Sequence, residues 1–591
     1  MYASLWENRQ TDHYVALVEE LLADEDELGR RCGPPGATRD ALKDLYQEMF
    51  PRRARHALGE YYTPDWLAEH VLDELGYTDQ RMLDPACGSG TFLVAAINRL
   101  RRSHAHLQPG QLLDKILDSV AGFDVNPLAV FTARANYRIA IRDLPPAGRE
   151  IPVELRDSIL DPAPEWLGRA DFVAGNPPWI AWDHLPDDYR ERTKPLWREY
   201  GLFSLPASAA RRGGGKKDLS SLMLYVAADR YLRDGGKLGF VITQTLFQSK
   251  GAGDGFRRFR IGGDGPALRV WRVDDMVRLK PFGGASNWTS VVFLQKGAPT
   301  EYPVRYVKWK PNQECQARPV DPARPASPWI VVPKGEQVAA AGPSDYQAHA
   351  GAYSGGANGV YWLRIVGRDG ANLIVENLHD CGKRAVESVR AVIEPDLVYP
   401  LLRWGDVERY RARPSAHILL AQDPATRKGI DEGRMRERFP LTYAYLKRFE
   451  PVLRQRRSSG LRPPFYSMFA VGPYTLAPIK VVWRRMDRRM NAAVVEGLVI
   501  PQETCVFIEA ASSDEAHYLC ALLNSDEIDS LVRSLSVAGG KGFGSPGMLE
   551  FVPLRKYEPS NAAHRTLAAR SRAETRDSIL NSQFPTPENR N

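Results

Sequence analysis

The sequence predicts an α/β protein whose first half is built around an open, mostly parallel sheet of about seven strands. Two observations support this prediction. Short apolar runs end abruptly in polar side chains, as at Asp84, Asp124 and Asn176. Stretches with helical periodicity lie between these runs. Strands that alternate with helices are typical of a doubly wound fold, in which ligands bind at the carboxyl edge of the sheet.

The first of these strands leads into a turn of small residues, which continues into a helical pattern through Leu100. Its residues are Asp84-Pro85-Ala86-Cys87-Gly88-Ser89-Gly90-Thr91-Phe92. Glycines let the backbone approach a ligand closely, and the N–H groups of the following helix face that ligand. The spacing matches neither a triphosphate loop nor a dinucleotide fingerprint. Because Asp84 would repel a phosphate, the turn favours an amine-bearing or cationic ligand such as S-adenosylmethionine.

Two further acids end the next apolar segments. Asp124 closes the run from Val120 and lies where a doubly wound fold presents a carboxylate to ribose hydroxyls. Asp157 follows the third segment and is placed to accept a hydrogen bond from an adenine amine. Each acid alone is more often a solvated surface residue. Their order and spacing at strand ends favour a cofactor site.

The tetrapeptide Asn176-Pro177-Pro178-Trp179 follows the buried run Ala170 to Gly175. The asparagine supplies a carbonyl acceptor, the prolines fix the backbone, and the tryptophan offers a flat face for stacking. These groups would hold a planar aromatic amine. The alternative is an ordinary turn beside a packed tryptophan.

These motifs resemble those of the DNA methyltransferases that modify the exocyclic amine of adenine. The segment Gly59-Glu60-Tyr61-Tyr62-Thr63-Pro64 is similar to the one that covers the methionine part of the cofactor in that family. The resemblance implies a Rossmann-like methyltransferase domain that uses S-adenosylmethionine and releases S-adenosylhomocysteine. It implies that the catalytic residues are Asn176, Pro177, Pro178 and Trp179. The implied cofactor-binding residues are Tyr61, Tyr62, Thr63, Pro64, Asp84, Ala86, Cys87, Gly88, Gly90, Thr91, Phe92, Asp124, Asp157 and Asn176.

The order of the motifs is similar to the gamma arrangement, in which a target recognition domain follows the catalytic motif. The chain also resembles the methyltransferase part of single-chain restriction-modification enzymes and the adenine methyltransferases of phage-defence systems such as DISARM and BREX. Segments Glu394–Arg403 and Ala521–Ser525 are similar to parts of their recognition domains. The implied partners are double-stranded DNA and other proteins of such a system.

Two features depart from that family. Its catalytic motif more often ends in Tyr or Phe, so Trp179 keeps the stacking face but has no phenolic hydroxyl. Combined restriction enzymes carry an N-terminal nuclease, and we expect no nuclease in the 58 residues before Gly59.

Composition sets limits on the class of protein. The 591 residues allow two to four domains, and 43% hydrophobic with 26% charged residues is ordinary for a globular protein. No apolar run approaches transmembrane length, and the N-terminus lacks signal-peptide features. The six cysteines show no Cys-x-x-Cys spacing, so we infer neither a zinc site nor a disulfide framework. We expect a bacterial or archaeal cytoplasmic, nucleoid-associated protein. Cys87 is expected to be a packing residue, since a cytosine-carbon methyltransferase would need a Pro-Cys nucleophile.

Positive charge is concentrated after the catalytic half. Between Pro440 and Met490 there are eleven Lys/Arg and two acids, a balance of 11 − 2 = +9, with aromatic residues interleaved. This pattern suits phosphate contacts with stacking, although a solvated basic face over a core is an equal alternative. A glycine-rich basic loop, Arg211–Lys217, follows the catalytic motif and could close over a flipped nucleotide. The candidate DNA-binding residues are Lys216, Lys217, Arg456, Arg457, Arg484 and Arg485.

Four regions are predicted along the chain. Residues 1–50 form a helical extension, 51–310 the methyltransferase domain, 311–560 an α+β target recognition domain, and 561–591 a helical or flexible tail. The leading function is transfer of a methyl group to the N6 amine of a flipped-out adenine in DNA, which marks host DNA in a restriction-modification or phage-defence system. The alternatives are an RNA adenine methyltransferase, a protein glutamine methyltransferase, and a noncatalytic cofactor-dependent DNA-binding subunit.

Overall fold

The computed structural model describes residues 8–49, 61–146, 148–203, 218–248, 252–282, 288–382, 384–456, 464–535 and 543–583. The chain divides into two compact units, Met1–Glu336 and Gln337–Asn591. The division therefore lies beyond the predicted boundary at residue 310. The reason is that strands up to Pro333 still pair with the sheet of the first unit.

The first unit contains helices and strands in alternation, as predicted. Its helices are α1 (Asn8–Ala23), α2 (Glu25–Cys32), α3 (Leu42–Met49), α4 (Asp65–Leu75), α5 (Thr91–Ser103), α6 (Pro109–Ser119), α7 (Pro127–Ala140), α8 (Asp187–Glu199), α9 (Leu219–Val226), α10 (Thr245–Gln248) and α11 (Ala252–Phe256). Its strands are β1 (Met82–Asp84), β2 (Val120–Asp124), β3 (Val153–Leu155), β4 (Ala170–Gly175), β5 (Leu232–Thr243), β6 (Leu268–Asp275), β7 (Thr289–Lys296), β8 (Val304–Lys308), β9 (Gln313–Pro319) and β10 (Trp329–Pro333).

Across the parts of the chain that are described, these strands form one ten-stranded sheet in the order β10-β9-β8-β6-β7-β5-β4-β1-β2-β3. The α/β class is confirmed, and the sheet is larger and more mixed than the seven mostly parallel strands that were predicted. Strands β1 to β5 pair in parallel with one another, and β7 runs antiparallel between β5 and β6. Strands β8, β9 and β10 extend the edge. The proline-rich interval from Pro319 to Pro333 contains β10, and its Trp329 is fully buried.

The helix after the small-residue turn begins where only glycine fits. Gly90 precedes α5 with φ 90°, and a Cβ there would lie 3.3 Å from the Cα of Ala133 in α7. The left-handed backbone and the close helix contact both exclude a larger residue. This packing brings the start of α5 to the end of β1.

The N-terminal extension is helical, as predicted, and it shares a core with the sheet-flanking helix α7. Buried side chains of α1 to α3, including Tyr14 and Tyr46, pack against Leu128, Ala135 and Ile139. The Tyr14 hydroxyl also contacts Thr132 Oγ1 at 3.0 Å. The extension is therefore a packed part of the first unit.

The second unit is α+β. Its helices are α12 (Asn358–Tyr361), α13 (Glu432–Arg438), α14 (Pro440–Arg448), α15 (Glu450–Arg454), α16 (Ser513–Leu523), α17 (Asp526–Leu535) and α18 (Ala562–Gln583). Its strands are β11 (His349–Ala350), β12 (Trp362–Asp369), β13 (Asn372–Asn377), β14 (Arg390–Ile393), β15 (Val398–Leu402), β16 (Val407–Glu408), β17 (Arg411–Ala412), β18 (Ala416–Leu419), β19 (Gln422–Asp423), β20 (Lys428–Gly429), β21 (Ile479–Arg484), β22 (Ala492–Glu496), β23 (Ile500–Pro501) and β24 (Cys505–Glu509).

The strands of this unit form a four-stranded sheet (β11-β24-β21-β22), a six-stranded sheet (β14-β13-β12-β18-β15-β23) and the pairs β16-β17 and β19-β20. The segments Glu394–Arg403 and Ala521–Ser525, which in sequence resemble parts of recognition domains, each form hydrogen bonds that stabilise this unit. Glu394 accepts hydrogen bonds from Leu441 N and Thr442 N at the start of α14. The buried Asn524 side chain joins α16 to the main chain of Ala492. Among the described helices, none has the length and apolar character needed to cross a membrane.

Candidate active site

The carboxyl edge of the first unit's sheet opens into a cavity of about 540 Å³. The side chains predicted at strand ends meet there: Asp84 at the end of β1, Asp124 at the end of β2, and Asp157 and Asn176 just after β3 and β4. They come together because β1 to β4 are parallel, so their carboxyl ends share one edge.

Most of the predicted cofactor residues line this cavity, and so do two of the four catalytic candidates. The lining cofactor candidates are Tyr61, Tyr62, Thr63, Asp84, Ala86, Cys87, Gly88, Thr91, Phe92, Asp124, Asp157 and Asn176. Asn176 and Pro178 are the lining members of the tetrapeptide. Pro64 caps α4, and Gly90 faces α7, so both support the wall from behind. Pro177 and Trp179 are also set back from the cavity surface.

Asp84 is almost completely buried beneath the cavity floor. Its Oδ1 accepts a hydrogen bond from Ala86 N at 3.1 Å, which shapes the turn toward Gly88. Burial, with a smaller contribution from the nearby Asp124, holds the pKa of Asp84 well above its usual range. A hydrogen-bond donor or a cation that enters the cavity would stabilise the charged form of this carboxyl group.

Asp124 holds the glycine turn in place while it faces the cavity. Its Oδ2 accepts from Gly88 N at 2.9 Å, and its Oδ1 accepts from Asn126 N at 2.8 Å. Burial raises the pKa of this carboxyl, and the two main-chain hydrogen bonds oppose that shift. Since a carboxylate has about four acceptor positions, capacity remains for ligand hydroxyls.

Asp157 is held by the main chain that follows it. Its Oδ1 accepts from Ile159 N at 2.9 Å and Leu160 N at 3.0 Å, and the Tyr189 hydroxyl lies 3.5 Å away. The carboxylate therefore sits in a fixed orientation on the cavity wall.

Two apolar side chains beside these acids were not predicted. Val125 is 37% exposed and Leu155 is 57% exposed, and both line the cavity. Exposed aliphatic groups on a cavity wall suit the faces of a flat ring. Their positions directly after Asp124 and two residues before Asp157 are the sequence signal that could have identified them.

Asn176 presents an acceptor that the protein does not use. Its Nδ2 donates to the Tyr61 main-chain oxygen at 2.8 Å, which fixes the amide orientation. Its Oδ1 is buried and has no hydrogen-bond partner within the described part of the chain. An unsatisfied buried carbonyl costs about 1–3 kcal/mol, so a site that keeps one is set to receive a donor.

Trp179 is packed rather than open. It is 5% exposed, and its indole Nε1 donates to Val241 O at 3.2 Å. Its ring lies 5.2 Å from the Tyr61 ring and 5.3 Å from the Phe282 ring, centroid to centroid. In this conformation a base could stack on the indole only after Tyr61 or Phe282 moves. Phe282 was not among the predicted residues.

Cys87 has the surroundings of a packing residue. It is 6% exposed, and a Cβ added to Gly122 would lie 2.9 Å from the Cys87 Cβ. Burial holds the pKa of its thiol well above the ordinary value, so it stays protonated and is a poor nucleophile.

One wall of the cavity comes from the segment after the tetrapeptide, which sequence reasoning missed entirely. The side chains are His184, Leu185, Pro186, Asp188, Tyr189 and Arg192, at the start of α8 and just before it. This helix is mostly polar and carries no motif, so only the packing of the chain brings it over the site.

The structure describes three of the six candidate DNA-binding residues, Arg456, Arg484 and Arg485. Arg456 is 5% exposed, and its guanidinium donates to the main-chain oxygens of Leu453, Ser354, Ser467 and Phe465. The prediction that it contacts DNA is therefore wrong, because its donors are already used inside the unit. Lys216, Lys217 and Arg457 lie outside the described residues, as does the rest of the Arg211–Lys217 loop.

Arg484 and Arg485 are partly accessible. Arg484 donates to Val407 O at 2.5 Å, pairs with Asp487 at 3.2 Å and lies 4.2 Å from the Trp404 ring. Arg485 is half-buried, and its Nε has no hydrogen-bond partner within the residues described here. A DNA contact by either one stays a prediction.

The basic interval from 440 to 490 is less positive in space than along the chain. Arg448 pairs with Glu387, and Arg489 pairs with Asp526 and Asp529, all of which lie outside the interval. Glu450 forms ion pairs with both Lys447 and Arg454. The aromatic side chains Phe465, Tyr466 and Trp483 are buried. Five of the nine described cations of this interval are therefore in ion pairs, namely Lys447, Arg448, Arg454, Arg484 and Arg489.

The chain matches known proteins over its first half. Residues 37–302 match the model of the family described as N-6 DNA methylase. Over 226 residues, 29% of this chain, it is 33% identical to the adenine-specific methyltransferase PglX of Streptomyces coelicolor, and this match covers 18% of PglX. It is 25% identical over 210 residues to the type II methyltransferase M.VspI of a Vibrio species, which covers 35% of this chain and 42% of that protein.

The fold is also similar to solved structures. The type IIL restriction-modification enzyme MmeI, solved in complex with DNA, superposes with a TM-score of 0.57 at 13% identity, covering 93% of this chain and 74% of that one. The DrdV–DNA complex gives a TM-score of 0.50 at 13% identity, with 90% and 59% covered. The curated relatives match along less than half of their own length. The family match spans less than half of this chain, so the chain is similar to the N-6 DNA methylase family over residues 37–302.

Proposed function

We propose that this chain is a site-specific DNA methyltransferase that transfers a methyl group to the N6 amine of a flipped-out adenine. The observation that carries the proposal is the buried, unpartnered Oδ1 of Asn176 on the wall of a cavity that also holds Asp84, Asp124 and Asp157. The match of residues 37–302 to the N-6 DNA methylase family model and the similarity to a protein named as an adenine-specific methyltransferase support the choice of reaction.

The cavity fits S-adenosylmethionine by the chemistry of its groups. Asp124 faces the cavity with acceptor capacity for ribose hydroxyls, and Val125 and Leu155 offer apolar faces for an adenine ring. Asp157 is placed to accept from the adenine amine. Asp84 and the Gly88–Thr91 turn would hold the amino acid part, where an ammonium group compensates a buried carboxylate. When bound, this cofactor supplies a methyl group on a sulfonium centre.

The tetrapeptide would prepare the target amine. The adenine amine is a weak nucleophile because its lone pair is delocalised into the ring. The Asn176 Oδ1 and the Pro177 main-chain oxygen can accept its two hydrogens and favour the tetrahedral geometry needed for attack. The bond from Asn176 Nδ2 to Tyr61 O keeps the acceptor aimed in advance, so little reorganisation is needed. No strong general base is required, and the proton is lost to water.

A base inside a duplex cannot reach this cavity and must rotate out of the stack, at a cost of a few kcal/mol. The aromatic group of Tyr61, Trp179 and Phe282 is placed beside Asn176 to recover part of that cost. In this view Trp179 forms the base of the platform, and a neighbouring ring shifts or contributes its own face.

DNA backbone contacts on the catalytic unit are best supplied by the cations that follow β6 and β8. We call Arg278, Lys280, Lys308 and Lys310 the basic rim. All four follow or end strands at the carboxyl edge of the sheet, Lys308 pairs in register with Asp275, and the segment of Arg278 and Lys280 leads to Phe282. Within the described residues none of them forms an ion pair, and Lys308 and Arg278 act on Asp275 only at longer range, where they oppose the rise in its pKa that burial causes. Their positive charges would attract DNA phosphates.

Replacing Asn176 tests the proposal. Asn176→Ala should bind S-adenosylmethionine with affinity close to that of the wild type and lose methyl transfer by at least about 100-fold, as when an oriented polar group is removed from a catalytic site. Gln111→Ala, which removes an exposed amide on α6, is the matched control and should keep full activity.

Modified-base sequencing of genomic DNA from cells with and without the protein identifies the substrate. A single methylated adenine motif that depends on Asn176 is the expected result. Normal turnover by Asn176→Ala would overturn the catalytic assignment. Modification of RNA with none of DNA would overturn the choice of substrate.

A further inference from the structure

Asp40, in the N-terminal extension, makes direct hydrogen bonds to the glycine turn of the cofactor site. It is 1% exposed and lies just before α3. Its Oδ2 accepts from the hydroxyls of Ser89 and Thr91, the latter at 2.6 Å. Its Oδ1 accepts from Asn136 Nδ2 at 2.6 Å and from Lys43 N at 3.1 Å. One carboxylate thus receives four donors from three separate parts of the unit.

These bonds bear on the part of the turn that lines the cavity. Ser89 and Thr91 flank Gly90, the left-handed residue that starts α5. Asn136 Nδ2 also donates to Ser89 O at 2.8 Å, so the turn is held through both its side chain and its main chain. Charge-assisted hydrogen bonds in a buried setting are the stronger kind, because water does not compete for them.

The same N-terminal segment contacts two other walls of the cavity. The Lys43 ammonium lies 2.7 Å from Asp65 Oδ2, at the start of α4 directly after the Tyr61–Pro64 segment. The Tyr46 ring contacts the Tyr62 ring with centroids 5.1 Å apart, and its hydroxyl accepts from Asn126 Nδ2 at 3.4 Å. Residues 40–46 therefore contact the glycine turn, the segment before α4, and the residues after Asp124.

We propose that Asp40 is a positioning residue for cofactor binding: its carboxylate fixes Ser89 and Thr91 and thereby the glycine turn that lines the cavity. Asp40 does not touch the ligand itself, since it lies behind the turn and is not part of the cavity lining. This inference rests on the proposed cofactor site. It adds that the N-terminal extension is an integral part of that site.

Burial of this group is consistent with such a task. Desolvation raises the pKa of Asp40, while Lys43 and the two hydroxyl hydrogen bonds lower it. Because burial opposes ionisation, the Asp40 carboxylate is stable as an anion only while its hydrogen-bond donors are in place. The same bonds that stabilise the carboxylate therefore fix the turn.

Asp40→Asn and Asp40→Ala test the proposal in the full-length protein. The asparagine substitution keeps the side-chain volume and an acceptor for Lys43 N and Asn136. It places an amide NH₂, which is a donor, opposite the Ser89 and Thr91 hydroxyls, which donate to the carboxylate in the wild type. The measurements are the melting temperature, the S-adenosylmethionine dissociation constant by calorimetry, and the split between KM for the cofactor and kcat. Asp44→Asn removes the same charge from an exposed position on α3 and is the control.

The expected result is a rise of about tenfold to 100-fold in the dissociation constant and KM of S-adenosylmethionine for both Asp40 variants, which corresponds to the loss of charged hydrogen bonds. At saturating cofactor, kcat should return to within about threefold of the wild type. Asp44→Asn should leave both values unchanged. Ser89→Ala should weaken cofactor binding in the same direction, and its effect should be less than additive with Asp40→Asn.

Two outcomes separate this inference from the proposed function. If the wild type binds S-adenosylmethionine and Asp40→Asn binds it equally tightly while only its melting temperature falls, Asp40 is a structural residue and the inference is wrong. If the wild type itself does not bind S-adenosylmethionine, the proposed function fails first. Should Asp40→Ala not fold, Asp40→Asn and Ser89→Ala carry the test.

Discussion

Gly175 and Asp84 are so close that residue 175 has no room for a side chain. A Cβ on Gly175, the last residue of β4, would overlap the Asp84 Oδ1 and lie 3.0 Å from the Asp84 Cγ. Gly175 directly precedes Asn176, so this contact joins the carboxylate at the end of β1 to the candidate catalytic tetrapeptide after β4. The absence of a side chain at residue 175 lets the two motifs share one cavity.

We expect Gly175→Ala to impair both halves of the site. The methyl group must displace the buried Asp84 carboxylate or shift β4, which costs about 1–3 kcal/mol of folding stability. S-adenosylmethionine affinity should fall by more than about tenfold because Asp84 loses its orientation, and methyl transfer should fall further because Asn176 shifts with it. Calorimetry and thermal unfolding measure the two effects. Gly110→Ala, where nothing lies within 4 Å, is the control and should leave affinity unchanged.

Trp179 should matter for stability as well as for the target base. Trp179→Ala removes a buried indole from the contacts with Tyr61 and Phe282. We therefore expect the free energy of unfolding to fall by about 3–5 kcal/mol and methyl transfer to be lost. Trp179→Phe loses the hydrogen bond to Val241 O but keeps an aromatic ring, and should cost about 0.5–1.5 kcal/mol.

Denaturant unfolding and single-turnover methylation distinguish the two roles of Trp179. The phenylalanine variant should keep single-turnover rates within about tenfold of the wild type, since a ring face remains for stacking. A stable Trp179→Phe protein with no methyl transfer would show that the indole itself, rather than an aromatic ring, is required.

The basic rim should govern the salt dependence of DNA binding. Arg278→Ala and Lys280→Ala should each weaken binding uniformly across DNA sequences and lower the slope of log affinity against log salt by about 1. Cofactor affinity should not change. Arg269→Ala is the control, because this arginine lies near the opposite end of the same strand β6 and is paired with Glu301. An unchanged slope in both rim variants would remove these residues from the DNA contact.

Arg456→Met should show the opposite behaviour. The arginine is buried among main-chain carbonyls of the second unit, so its loss leaves several acceptors unsatisfied. We expect a loss of about 2 kcal/mol or more in the free energy of unfolding. The salt slope of DNA binding should stay at the wild-type value, and a lowered slope would restore Arg456 as a phosphate contact.

Asp218 should make stability depend on pH. Burial raises its pKa to about 6, while hydrogen bonds from Ser220 N and its hydroxyl only partly oppose the shift. A folded pKa above the unfolded value means that the folded state binds the proton more tightly. The resulting stabilisation is complete below about pH 4 and is lost as the pH rises through about 6.

Asp218→Asn removes this titration and keeps an acceptor at the start of α9. At pH 8 the free energy of unfolding of the variant should therefore exceed that of the wild type by roughly 1–3 kcal/mol, and its melting temperature should be higher. The difference should shrink toward pH 5. Thermal unfolding of both proteins across this range checks it, and a difference that is constant with pH would show that Asp218 is not the group responsible.

Several elements were predictable from local patterns. The strand ends at Asp84, Asp124 and Asn176 follow from apolar runs that stop at polar residues, and parallel pairing then brings them to one edge. The helical N-terminal region follows from periodicity. The strands β9 and β10 were missed, because their proline-rich surroundings resemble a linker and only pairing with β8 makes them part of the sheet.

The charged residues show where local patterns fail. A count along the chain cannot include acids that fold back from elsewhere, such as Glu387 beside Arg448 and Asp526 beside Arg489. Nor can it tell a phosphate-binding arginine from Arg456, whose donors are used internally. The wall formed by His184 and Arg192 carries no motif and was found only through its position over the cavity.

The sequence by itself determined the α/β class, the order of the candidate cofactor and catalytic motifs along the chain, and the tetrapeptide on which the proposed reaction rests. These depend on residue type and spacing, which the chain carries locally. Only the tertiary structure decided that Asn176 keeps a free acceptor, that Trp179 is packed between two rings, and that Asp40 reaches the glycine turn. Those properties depend on which distant side chains occupy the space around a group, and no local pattern encodes that.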